Sequence, residues 1–103
     1  MPDRQQHAVH ISNRDRQRAL KSLKRLYLAQ FGQDGLSDTV RQFSRAELVD
    51  VYQRNMRFWV DHTPEVKPGL SQFTLAKHAI CTNAIENLWS KIDAHGIRDL
   101  IDA

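Results

Sequence analysis

The chain has 103 residues, of which 41% are hydrophobic and 26% charged, with a formal net charge of +3; this length fits one domain and this balance excludes wholesale disorder. No apolar run approaches the roughly 20 residues that span a bilayer, Met1 to Ile11 has no hydrophobic stretch of the secretory kind, and the single Cys81 excludes an intramolecular disulfide. The expectation is one cytoplasmic domain, of a size whose stability margin is thin and to which dimerisation commonly adds buried area.

The first eleven residues are polar and aperiodic, which predicts a flexible arm (1–11) ahead of a single helical domain (12–103). Ser12, with Asp15 three residues on, resembles a capping box and predicts a helix over 13–31. Ala19, Leu20, Leu23, Leu26, Tyr27 and Phe31 recur at spacings of three and four and form one inward stripe. Arg14, Arg18, Lys21 and Arg25 form a basic face opposite, with Arg16 and Lys24 beside it and Leu28 among them. Gly32 to Gly35 predicts a turn, and Leu36, Val40 and Phe43 keep helical spacing over one or two further turns.

The clearest start signal is Phe43-Ser44-Arg45-Ala46-Glu47-Leu48, a capping box framed by a hydrophobic staple, which opens a helix over 45–62. Leu48, Val49, Tyr52, Met56, Trp59 and Val60 make its main apolar face. Val51 and Phe58 widen that face to an arc of about 200°, which calls for neighbours on two sides, either the Leu36–Val40 segment or another chain. Pro64 ends the helix, and a loop with Pro64, Pro68 and Gly69 leads to a third helix over 71–94. Phe73, Ala76, Ile80, Cys81, Ala84, Ile85, Leu88, Trp89 and Ile92 are its inward residues. Gly96-Ile97 reads as its glycine-ended cap, followed by a last turn that docks Leu100 and Ile101. No alternating β-branched run occurs. The fold expected is all-α, three main helices in a small, dimeric bundle.

The chemistry of the residues points to binding, with no catalytic, metal or cofactor site expected. His7 and His10, or His78 and Cys81, share a helical spacing, but each pair falls short of the three or four ligands a zinc site needs. No nucleophile elbow, P-loop or glycine-rich phosphate cradle is present. Arg57 and His62 fit the R-x4-H spacing that resembles the ribonuclease motif of HEPN domains. With ten Arg and five His in the chain, one such spacing arises by chance about half the time, so it discriminates little; a HEPN-like ribonuclease toxin is the third reading.

Charge is unevenly spread: Met1 to Phe31 carries seven Lys/Arg against two Asp, a net +5, and the remainder a net −2. A basic first third suits an acidic protein surface, a nucleic acid or plain solubility. A small DNA-binding accessory protein or repressor using the first helix is the alternative reading, although the long, proline-rich second connection does not suit a helix-turn-helix. The surface expected to meet a protein partner, or a second copy, joins Val51 and Phe58 to Arg54 and Arg57, with Leu28 on the first helix; aromatic and arginine side chains are the types that dominate interface energies.

A short helical chain with an N-terminal arm, a capped central helix (Ser44-Arg45-Ala46-Glu47) and a long third helix resembles the bacterial QslA-type anti-activators that restrain LuxR-family quorum-sensing regulators. The likeness covers most of the chain in size and layout and rests on no diagnostic motif, so it assigns no residue a role. It implies a non-enzymatic protein that binds a transcription activator directly and blocks its dimerisation or DNA binding.

Overall fold

A computed structural model describes residues 11–102; the expected arm and the His7/His10 pair thus lie outside the described residues, apart from Ile11. Three helices follow in order: α1 (Asn13–Phe31), α2 (Arg45–His62) and α3 (Gln72–Ala94), with short 3-10 turns at Asp38–Gln42 and Arg98–Leu100. Among the described residues there is no strand, and no helix is long and apolar enough to cross a membrane. The protein is a small all-α bundle, with its helices where periodicity and caps place them.

Each helix starts at a serine. The Ser44 hydroxyl accepts from the Glu47 N–H at 3.2 Å while the Ser44 N–H donates to Glu47 Oε1 at 2.7 Å, so the capping box is complete. At Ser12 only half of the box forms. Its hydroxyl accepts from the Asp15 N–H and donates to Asp15 Oδ2, but the shorter aspartate side chain leaves the Ser12 N–H to Gln72 Oε1 of α3, 3.3 Å away. Ser71 caps α3 through the Thr74 N–H, so that helix begins one residue later than expected. At the other ends, Gly32 takes a left-handed φ of 76° and its N–H returns to Leu28 O. Gly96 (φ 69°) does the same for α3 in a Schellman arrangement, in which Ile97 N–H reaches Ile92 O and Gly96 N–H reaches Asp93 O.

α3 is the centre of the bundle, and both α1 and α2 pack along it. Ser12 meets Gln72 and Arg18 lies over Phe73, so α1 runs parallel to α3. Cys81 Sγ contacts His62 O and the Tyr52 ring lies 5.5 Å from that of His95, so α2 runs the other way. The main core joins Val40, Tyr52, Met56, Leu88, Ile92, Ile97 and Ile101, with Phe43, Leu48 and Leu36 packed at its edge. Where α1 packs on α3, Ala19, Leu23 and Ala76 are all buried, and the two alanines permit close approach. The C-terminal turn is latched twice. Arg98 makes a two-pronged ion pair with Asp93 (2.6 and 2.9 Å) while lying over the Trp89 ring at 4.4 Å. The Gln53 amide exchanges a pair of hydrogen bonds with the Asp102 backbone (2.6 and 2.7 Å).

The wide apolar arc of α2 is accounted for within one chain. Its Tyr52–Met56 side meets α3 and the Leu36–Val40 segment. Its other side meets the end of α1, where Phe58 packs edge-on to Tyr27 (5.2 Å between centroids), Phe31 (5.8 Å) and Trp59 (5.0 Å). Three apolar side chains expected inside are on the surface: Leu26 on α1, Val60 on α2 and Leu100, which stands out while Ile101 alone docks. Leu26 and Val60 lie at the margins of their stripes, where the core surface curves away from a straight helix face.

Candidate functional site

Of the five residues expected at a partner-binding surface, Phe58 is the one the fold removes. It is 2% exposed, at the centre of the aromatic cluster between α1 and α2, because α1 ends directly above it. Arg57 is exposed and makes no hydrogen bond or ion pair among the described residues. Val51 and Arg54 come together on α2, and Leu28 lies on the last turn of α1. Leu28 is 44% exposed, one turn before the half-buried Phe31. The Arg54 guanidinium lies 5.9 Å over the Phe31 ring and donates from Nε to Asp50 Oδ2 at 3.1 Å. Arg54 and the half-buried Val51 then line a shallow hollow of about 330 Å³ with Phe43 and Ala46, rimmed by Glu47 and Asp50. Phe31, Arg54, Val51 and Phe43 thus follow one another across the α1–α2 seam, and Leu28 stands exposed one turn before Phe31. Phe31 and Phe43 escape sequence reading because their stripe positions mark them only as core.

The basic face of α1 is narrower than its sequence suggests. Arg14, Lys21 and Arg25 are exposed, with no ion pair among the described residues. Arg18 pairs with Asp15 at 3.1 Å and covers the Phe73 ring at 5.1 Å. Lys24 turns to Asp34 at 3.6 Å. Arg16 lies on the α3 side, lining a hollow with Ala76, Ile80 and Asn83. It is two residues from both Arg14 and Arg18, and about 200° of helix rotation puts it nearly opposite them.

Arg57 and His62, five residues apart on one helix, point about 140° apart. His62 Nδ1 lies 2.7 Å from Phe58 O and its ring packs on Phe58 at 4.2 Å, which ties the imidazole to the end of α2. Among the described residues no three His, Cys, Asp or Glu side chains gather as metal ligands do. Cys81 is fully buried; burial pushes its thiol above the ordinary range, outweighing the hydrogen bond from Thr63 and the nearby Lys77 charge that lower it. A thiol held in that form is a weak nucleophile.

One polar pair links α1 to α2 inside the bundle. The Tyr27 hydroxyl donates to Asn55 Oδ1, and Asn55 Nδ2 donates to Val51 O at 2.8 Å. Asn55 is 2% exposed and, among the described residues, is the one buried side chain that is neither apolar nor aromatic. Burial raises the Tyr27 phenol above its ordinary value, chiefly against the Asn55 hydrogen bond that lowers it. An asparagine set among Tyr52, Met56 and Trp59 is the sequence signal that could have marked this place.

No family model, no curated protein and no solved structure matches the chain.

Proposed function

We propose that the protein is a non-enzymatic regulator that acts by binding another protein, with the strip Leu28–Phe31–Arg54–Val51–Phe43 as its contact surface. The observation that supports this reading most directly is Arg54. Its guanidinium is laid on the Phe31 face beside an apolar hollow, half exposed and already held by Asp50. An arginine fixed in that manner loses little side-chain entropy on binding and retains N–H groups for a partner's carboxylate. Apolar area around a central arginine is also the composition of interface hot spots. From the likeness to QslA-type proteins, the partner we propose is a LuxR-type quorum-sensing activator, whose dimerisation or DNA binding would be blocked. A second copy of the chain is the other occupant to be tested.

The test is a capture from the source cell with mass spectrometry, followed by titration of the captured protein against wild type, Arg54→Ala and Leu28→Ser. Arg54→Ala should cost about 2 kcal/mol of binding, roughly thirtyfold, with the circular dichroism unchanged. Wild-type affinity in both variants would dismiss the strip. Arg14, Lys21 and Arg25, exposed and without an ion pair among the described residues, favour a second reading, a DNA-binding accessory protein. DNA affinity that falls steeply with salt and weakens in Lys21→Glu would favour it over the first.

A further inference from the structure

A cleft of about 270 Å³ opens between the three helices, on a different side of α2 from the strip at Val51 and Arg54. An apolar cavity of about 150 Å³ already accommodates benzene, so this one has room for a two-ring molecule. Its walls are carbon: Leu20 of α1, Trp59 of α2, and Ala84 and Leu88 of α3. Apolar walls with a few placed polar groups, set between the helices of a bundle, are the usual form of a small-molecule site.

The polar groups are sorted by depth. The buried Tyr27 and Asn55 line the interior, and neither uses its full hydrogen-bonding capacity. Asn55 Nδ2 has two N–H groups and spends one on Val51 O, while the Tyr27 oxygen donates to Asn55 and can still accept. At the mouth stand charges, and the exposed Asn87 amide of α3 also belongs to the lining. Lys24 and Asp34 form a half-exposed pair at 3.6 Å, and Lys91, exposed, has no carboxylate partner among the described residues. Two lysines against one aspartate leave the mouth with one unbalanced positive charge.

We infer that this cleft is a binding site for a small aromatic monocarboxylate. The ring lies between Trp59, Leu20 and Leu88, a ring N–H or hydroxyl bonds to the Tyr27 oxygen, and the carboxylate meets Lys91 and Lys24 at the mouth. The inference is independent of the protein-binding strip. Aromatic rings suit the Trp59 wall through offset stacking, and the surplus lysine selects an acid over its neutral analogue.

The probe is indole-3-acetate, with the neutral indole-3-acetamide as its isostere, titrated into the ¹⁵N-labelled full chain. Saturable shifts are expected at the Asn55 side-chain amide and the Trp59 indole N–H, with the acid binding about tenfold more tightly than the amide. Lys91→Ala, a surface change, should bring the two affinities together. Ala84→Leu should abolish binding of both while the melting temperature holds or rises, since the added side chain fills the cleft. No saturable shift at millimolar probe, equal affinities of acid and amide for wild type, or Lys91→Ala preserving the preference would each overturn the assignment.

Discussion

On a helical wheel Phe58 stands about 120° around α2 from Tyr52, yet both side chains are almost fully buried. Tyr52 faces α3 and the C-terminal turn, whereas Phe58 faces Tyr27 and Phe31 of α1. Its role is therefore to join α1 to α2, which otherwise meet through the Tyr27–Asn55 hydrogen bond, the stacked Tyr27 and Trp59 rings and Arg54 over Phe31. Truncating Phe58 removes a whole ring from four aromatic neighbours that cannot close over the gap. Phe58→Ala should cost about 3–5 kcal/mol of stability, read as a lower denaturation midpoint in guanidinium chloride. Leu28→Ser, on the solvent side of α1, should stay within about 0.5 kcal/mol. A Phe58→Ala loss below about 1 kcal/mol would mean that α1 and α2 are held together elsewhere. The same contrast makes Leu28 and Arg54 the proper probes of partner binding, since their loss leaves the core intact.

At the scale of elements, the three helices owe their positions to their ends. The Ser44 box satisfies two backbone donors reciprocally, and Phe43 and Leu48 on either side of it pack on the same core. Ser44→Ala should cost about 1 kcal/mol, a fall of about 4–8 °C in melting temperature for a domain this small; an unchanged melting curve would show that packing alone sets the start of α2. These ends were legible in the sequence because a cap is a local event, fixed by residues three or four apart. What each helix face meets was not legible, because periodicity gives a direction and not a neighbour. Phe58 and Val60 both sit at the margins of one apolar arc, and only the arrival of α1 buries the first and leaves the second exposed. Of the proposed contact surface, Leu28, Val51 and Arg54 could be read from their helical angles, whereas Phe31 and Phe43 look like ordinary core positions. The cleft draws on three helices and the Asp34–Leu36 turn, so its only local sign is a polar Asn55 in an apolar face.

At the scale of the molecule, the last turn completes the core. Ile97 and Ile101 are buried against Tyr52 and Met56, at the end of the bundle where α2 begins and α3 stops. No residue of α1 enters that cluster, so beyond Ile92 the Tyr52–Met56 side of α2 is covered by the tail together with the Leu36–Val40 segment. Each isoleucine contributes about 1.5–3 kcal/mol by burial, or about 3–6 kcal/mol for the pair. A domain of this size has a total stability on the order of 5–15 kcal/mol. The Gln53–Asp102 and Arg98–Asp93 contacts are exposed and add little by themselves; their effect is to fix the tail in the position that buries its two isoleucines. Asp93 is held below the ordinary carboxylate range by the hydrogen bond from Arg98, so this latch is complete at neutral pH and is lost as acid protonates Asp93. A chain ending at Gly96 should therefore lose its cooperative thermal transition and its near-ultraviolet dichroism while retaining helical signal, the signature of a collapsed chain without fixed packing. Arg98→Ala in the full chain should retain the transition. Retention of a sharp transition within about 5 °C of wild type in the shortened chain would show that α3 and α2 close the core by themselves.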